Sequence, residues 1–237
     1  MANRPRVMYK NLRKDFADPL TMLNRRRFLA VLLGPAFILV LALPLPPGGA
    51  FAAGLEVRAE AFIQSMAQEA LESLTQQGTS REERIKRFRK MFNAHFAVRS
   101  IGKFVLGRYW RKASKDEQAE YLSLFEDLMV TSYVDRFQRY AGKNLNILKT
   151  RAEKGSAVTV FTEIARPDGA RPVQVLWRVG ARGEIIKILD VVVEGASMSQ
   201  TLRSDFGSII RQKGGKVSGL LEELRIKTAS LKADAGN

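Results

Sequence analysis

The sequence predicts an α+β fold, with helices packed on one face of a four-stranded antiparallel sheet curved enough to enclose a pocket. Three observations predict it. For about ninety residues after an apolar leader, large side chains recur at helical spacing. From Leu145 the period shortens to two, broken by Glu153-Lys154-Gly155-Ser156, Pro167-Asp168-Gly169-Ala170 and Gly180-Ala181-Arg182-Gly183. From Ser197 capped helical segments return.

The leader is read first. No charged residue stands between Phe28 and Leu55, and the apolar run Phe28 to Leu45 is long enough to cross a bilayer at roughly 1.5 Å per residue. Pro44, Pro46, Pro47, Gly48 and Gly49 then end the helix, and Ala50-Phe51-Ala52 gives the small-x-small pattern that signal peptidase accepts. Residues 1–52 are therefore predicted to be a cleavable signal peptide, cut after Ala52. Arg25-Arg26-Arg27-Phe28-Leu29 fits R-R-x-F-L and resembles the core of twin-arginine export signals. Asn24 stands where Ser or Thr is usual, and Ala30 where Lys is frequent; an ordinary secretory signal with an Arg-rich start is the alternative, and Met22 is an alternative first residue.

Either route ends in the periplasm, which removes nucleic acid as a partner despite a formal charge of +15. The leader itself, with eight Lys/Arg against two Asp/Glu, supplies +6 of that excess. Residues 53–230 form the predicted working domain.

The first helix spans about Leu55 to Gln77, with Leu55, Ala59, Phe62, Ile63, Met66, Ala70 and Leu74 as a core stripe ended by Gly78. Ser80 and Glu83 read as a capping box for a second helix. Its basic face (Arg81, Arg84, Lys86, Arg87, Arg89, Lys90) is expected to be solvated, or else to meet acidic head groups or an acidic partner. His95, the one histidine, sits among apolar neighbours and reads as structural. A short helix from about Val98 to Leu106 leads into an aromatic, basic turn. Ser114 and Glu117 form a second capping box for a long helix to about Ala141, with Leu122, Phe125, Met129, Tyr133, Phe137 and Tyr140 on one side.

Four strands follow at about 144–151, 156–165, 171–179 and 184–194. In the third, Val173, Val175, Trp177 and Val179 share one face opposite Gln174 and Arg178. The fourth, Ile185-Ile186-Lys187-Ile188-Leu189-Asp190-Val191-Val192-Val193, is apolar on both faces and is expected to be covered on both sides or to lie centrally. Glu194-Gly195 turns the chain, Ser197 with Gln200 caps a helix to about Lys213, and a last helix carries Val217, Leu220, Leu221 and Leu224. It is expected to fray from about Ala229, leaving 231–237 as a flexible tail.

The absence of cysteine rules out disulfides, thiolate metal sites and a Cys nucleophile, and a single histidine leaves no His-rich metal site. There is no G-x-S-x-G and no P-loop, so no catalytic set is predicted, and neither a metal nor a cofactor. Asp190, inside an apolar strand, is a candidate base for an enzyme of this fold. Its structural reading is a carboxylate bound by backbone N–H groups or a nearby arginine. What is abundant is apolar and aromatic side chain, the requirement of a lipid carrier. Two sixteen-carbon acyl chains hold about 30 methylenes, whose full exposure would cost on the order of 20 kcal/mol. Composition alone does not separate a cavity from a filled core.

Three stretches together carry a family resemblance: Phe104 to Phe137 ("FVLGRYWRKASKDEQAEYLSLFEDLMVTSYVDRF"), Asp168 to Val179 ("DGARPVQVLWRV") and Ile188 to Arg225, with D-V-x-x-E-G-x-S-M at its head. The chain resembles the MlaC and toluene-tolerance family of periplasmic phospholipid-binding proteins from about Phe62 to Lys227. The resemblance implies a nuclear-transport-factor-like curved sheet with a lipid cavity between sheet and helices, and a carrier rather than an enzyme. The ligand implied is phospholipid, shuttled between inner and outer membrane to maintain outer-membrane lipid asymmetry. The partners implied are an inner-membrane ABC transporter with an MCE-domain subunit and an outer-membrane lipoprotein–porin complex.

By position, the resemblance places lipid-lining sites at Val173 and Ala196, with Met198 taking over if the small Ala196 widens the pocket. Strand alternation adds Val175, Trp177, Val191 and Val193, and the helix stripes add Tyr109, Phe125, Tyr133 and Phe137. Arg108, Arg111, Lys112 and Arg171 are candidates for head-group or partner contact. Relatives grouped with hopanoid biosynthesis share the motifs, so a polycyclic lipid is the alternative ligand.

Overall fold

A computed structural model describes residues 48–74, 76, 78–140, 145–153, 155–166 and 169–233, with the side chains of 48–53 and 136–140 outside that description. The arginine motif and most of the leader lie outside it as well. Among the described residues six α-helices and five strands follow one another, with a 3-10 turn between the third and fourth helices: α1 (Gly48–Leu74), α2 (Arg81–His95), α3 (Val98–Leu106), the 3-10 turn (Gly107–Arg111), α4 (Lys115–Tyr140), β1 (Leu145–Ala152), β2 (Ala157–Ile164), β3 (Val173–Arg182), β4 (Ile185–Val193), β5 (Ala196–Ser197), α5 (Met198–Gln212) and α6 (Val217–Ala233). The sheet is antiparallel in the order β1-β2-β3-β4-β5. The α+β class is as expected, but the sheet has a fifth, two-residue strand, too short to announce itself as an alternating run.

The helix starts follow the capping chemistry. At α4 the box is reciprocal: Ser114 N donates to Glu117 Oε2 (2.9 Å) and Glu117 N donates to Ser114 Oγ (3.1 Å). At α2 only half of the expected box forms. Glu83 N donates to Ser80 Oγ at 3.2 Å, while the Glu83 carboxylate takes Arg87 at 3.0 Å. The supposedly solvated basic face of α2 is also largely tied down. Arg81 grips Asp135 of α4 through Nε and Nη2, at 3.0–3.2 Å, and Arg89 reaches Glu126 (2.8 Å) and Asp127 (2.6 Å) on the same helix. Arg84 donates to the Thr79 carbonyl at 2.6 Å. These acidic partners on α4 lie 37 to 54 residues downstream, beyond the reach of a local reading.

Two other boundaries shift. The first helix begins at Gly48 rather than near Leu55, because Ala50, Ala52 and Ala53 favour helix without adding to the apolar stripe. The last runs to Ala233, past the expected fraying point, with Lys232 paired to Asp127 at 2.7 Å and Leu231 packed on the core.

Apolar side chains form two clusters. The helical one joins α2 to α6, with Tyr121, Phe125, Leu106, Ile210, Leu220 and Leu221 at its centre. Tyr121 Oη donates to the Gly102 carbonyl at 3.0 Å, and burial pushes its phenol well above the usual range. In the second cluster Ala59, Ile63 and Met66 of α1 meet Val158, Val160, Val175, Trp177, Val179 and Ile188 of the sheet. The stripe of α1 continues through Ala70 and Leu74 into the helical cluster, so one amphipathic helix serves both.

Two β-bulges, at Leu148 in β1 and Leu189 in β4, break the register and bend the sheet. Leu189 leans on Gly180, where any Cβ would come within 2.7 Å of it. The doubly apolar β4 lies next to the sheet edge rather than centrally. The α2–α3 junction covers its outer side: Ala97 N donates to the Ile188 carbonyl at 2.9 Å, and Lys187 donates to the carbonyls of Asn93 and Ala94. Ile185 falls beyond this cover and is 63% exposed.

Candidate functional site

The site emerges from the register of the sheet. On the face that meets α1, cross-strand partners form rows: Val158, Val179 and Ile188; then Thr150, Val160, Trp177 and Val191; then Ile147, Thr162, Val175, Val193 and Ala196; then Leu145, Ile164 and Val173. Burial falls off along this series. Val158, Val179 and Ile188 are 1%, 0% and 0% exposed, whereas Leu145, Ile164 and Val173 are all only half-buried. Arg58, in the first half of α1, donates to Glu184 at 3.0 Å in the β3–β4 turn, which fixes the helix over the sealed end. The opposite end is an apolar strand surface left partly open.

Polar groups on this face are mostly satisfied within it. Trp177 Nε1 donates to Thr162 Oγ1 (3.0 Å), which donates to the Val175 carbonyl (2.8 Å). At the sealed side of α1, His95 Nε2 lies 2.6 Å from Glu69 Oε2, and its ring meets Phe62 edge-on at 5.3 Å. That is the structural role expected of it.

The D-V-x-x-E-G-x-S-M motif shapes the open end. Both oxygens of Asp190 are engaged: Oδ1 accepts from Val191 N (2.9 Å) and Ser199 N (3.1 Å), and Oδ2 accepts from Ser197 Oγ (2.6 Å). Ser197 Oγ also accepts from Gln200 N at 3.1 Å, so Asp190 anchors the cap of α5. This is the backbone-bound carboxylate of the structural reading, with no acid–base partner beside it among the described residues. Glu194 takes a left-handed conformation (φ 49°) followed by Gly195 (φ 83°), reversing the chain in two residues. Glu194 exchanges two bonds with Gln174, Gln174 N donating to Oε1 at 2.7 Å and Glu194 N donating to the Gln174 carbonyl at 3.0 Å. The lock sets Ala196 opposite Val193.

The sequence-predicted residues divide into groups. Val173, Val175, Trp177, Val191, Val193 and Ala196 share the helix-facing sheet surface, with the half-buried Met198 opening α5 beside Ala196. Tyr109, Phe125 and Tyr133 belong instead to the helical cluster, where Phe125 is 0% exposed. The side chain of Phe137 lies outside the described residues. The basic residues separate too. Arg171 stands on the β2–β3 hairpin beside the open row, together with Arg166, while Arg108, Arg111 and Lys112 cluster around the 3-10 turn. The sequence reading missed Leu145, Ile147 and Ile164, whose signal was alternation within β1 and β2 and whose relevance needed the register.

Comparison with known proteins bears on the family and the fold. The profile of the MlaC protein family matches residues 64–226. The chain is 23% identical over 117 residues to the intermembrane phospholipid transport system binding protein MlaC of Haemophilus influenzae; that alignment covers 48% of this chain and 54% of the relative, about half of each. The fold is similar to that of a phospholipid-binding protein from Ralstonia solanacearum, solved in complex with a phospholipid. There the TM-score is 0.63 and the identity 20%, over 73% of this chain and 98% of that one. With the family profile spanning well over half of its length, the chain belongs to the MlaC family.

Proposed function

We propose that this protein carries phospholipid between the inner and outer membranes, holding acyl chains against the helix-facing surface of the sheet. The observation that carries the reading is the half-buried row Leu145, Ile164 and Val173, an apolar surface continuous with a sealed core. A ligand that covers such a row gains roughly 25 cal/mol for each Å² removed from water, without any new polar contact. Val191, Val193, Ala196 and Met198 extend the same surface; one relative is the binding protein of an intermembrane phospholipid transport system, and the similar structure is a phospholipid-binding protein solved with a phospholipid.

In this reading Arg171 and Arg166, exposed where the β2–β3 hairpin meets the open row, hold the head-group phosphate outside the apolar surface. Residues 1–52 are the export signal in this proposal, and the periplasm is the site of action. Donor and acceptor are the MCE-domain ABC transporter of the inner membrane and the lipoprotein–porin complex of the outer membrane, and the transport maintains outer-membrane asymmetry. Catalysis has no place in it, because the one candidate base, Asp190, is committed to the α5 cap.

Solvent extraction of the protein purified from a bacterial host tests this. Phospholipid is expected at a fixed ratio to protein, and Val173→Asp is expected to lose most of it while remaining folded. A protein that emerges lipid-free and takes up nothing from liposomes would contradict the proposal. Recovery of a polycyclic lipid instead would support the hopanoid-associated alternative.

A further inference from the structure

The cations around the 3-10 turn differ from those of α2. From Val98 to Lys115 the chain carries six Lys/Arg and no acid. Arg108 Nη2 donates to Tyr109 Oη at 3.2 Å with its guanidinium 5.1 Å from the ring centre, and Lys112 Nζ lies 5.9 Å from the same ring. Lys103 Nζ stands 5.2 Å from the Trp110 ring. On α5, Arg203, Gly207 and Arg211 recur every four residues and form one stripe facing this segment. Arg203 donates to the Phe104 carbonyl at 2.8 Å, its guanidinium 4.8 Å from the Phe104 ring, and the field of Arg211 reaches Tyr109. Among the described residues, none of Lys103, Arg108, Arg111, Lys112, Arg203 or Arg211 has a carboxylate within ion-pair distance, and all six are exposed. Asp205, two residues from Arg203, points to the other side of α5.

We propose that this face docks the protein on the surface of an anionic phospholipid bilayer. Three features favour a bilayer over an acidic protein partner. The charge is spread over three elements, α3, the 3-10 turn and α5, rather than gathered around a groove. Free apolar anchors of the kind that centre a protein interface are scarce, since Tyr109 is already buried, Trp110 packs half-buried on the helical cluster with Lys103 over its ring, and Phe104, 40% exposed, is capped by Arg203. Cations laid over aromatic rings suit the lipid head-group region, where an amphipathic ring and a charged tip are both accommodated. The proposal is independent of which lipid the sheet carries.

Vesicle co-sedimentation of the protein purified after export tests it, with phosphatidylcholine vesicles against vesicles containing about 30% phosphatidylglycerol. Binding is expected to the anionic vesicles alone, falling steeply between roughly 0.1 and 0.5 M NaCl. A variant with Arg108, Arg111, Lys112, Arg203 and Arg211 all changed to Gln is expected to bind at least about tenfold more weakly. Lys86→Gln, Arg182→Gln and Lys216→Gln together, on other faces, should leave binding nearly intact. Lipid content and thermal midpoint of each variant, measured in parallel, separate loss of docking from loss of cargo or fold. Equal binding to neutral vesicles, no binding to anionic ones, salt-independent binding, or an equal loss in the control variant would each overturn the proposal. Binding to an acidic protein with no affinity for vesicles would overturn it as well.

Discussion

The two ends of the helix-facing sheet surface are built from the same kinds of residue and differ in what covers them. At one end Val158, Val179 and Ile188 are sealed by α1 and the α2–α3 junction; at the other, Leu145, Ile164 and Val173 stop half-buried. Strand propensity and alternation are alike in both, so the distinction is a property of tertiary cover. In the proposed function, the lipid-binding surface is a core that the chain leaves unfinished.

The largest effects should fall where the cover is complete. Phe125→Ala, in the helical cluster, is expected to cost about 3–5 kcal/mol in denaturant unfolding, and Ile188→Ala at the sealed end about 2–5 kcal/mol. Val173→Ala, at the open end, should cost under about 1 kcal/mol in lipid-free protein, because it leaves no enclosed cavity. Equal losses at Ile188 and Val173 would erase the contrast between the two ends.

Next in size is the motif that shapes the open end. Asp190→Ala frees Ser197 Oγ and the Ser199 N–H, and should cost about 1–3 kcal/mol in stability. Without its anchor the turn that seats Ala196 loosens, so lipid content should fall with it. If stability and lipid content both stay unchanged, the motif has some other purpose.

The smallest effect concerns acid. Burial opposes ionisation of Asp127, but its bonds to Lys232 and Arg89 outweigh this and hold its carboxyl below the usual value. A group whose folded pKa is depressed stabilises fully above its unfolded pKa, about 3.9, and the benefit is lost as pH falls through the folded value. Asp127→Asn should therefore lower the thermal midpoint modestly at neutral pH and lose less than the parent below about pH 4. Glu153, where burial is likewise outweighed by Thr159 and Arg178, should add to the same acid sensitivity.

Local chemistry was legible from the sequence. The caps at Ser80, Ser114 and Ser197, the hairpin turns and the strand alternation in β3 all involve residues within a few positions of one another. What escaped was non-local. Arg81 meets Asp135, Phe96 bridges Ile188, and Glu194 locks Gln174 across twenty or more residues. The bulges at Leu148 and Leu189 also escaped, because one inserted residue leaves an apolar run looking continuous. The candidate site was therefore half visible: the family resemblance named Val173 and Ala196 and strand alternation added Val175, Trp177, Val191 and Val193, while only the register could add Leu145 and Ile164 and the packing set Phe125 apart in another cluster.

The central claim, that acyl chains lie against the open end of the sheet, is tested most directly by photo-cross-linking. A phospholipid with a photoreactive acyl chain would be loaded into the protein, and the adducts mapped by peptide mass spectrometry. Adducts are expected on the peptides bearing Leu145, Ile164, Val173 and Val193. Adducts confined to the helical cluster around Phe125 and Leu220, or spread without preference over the surface, would contradict the account.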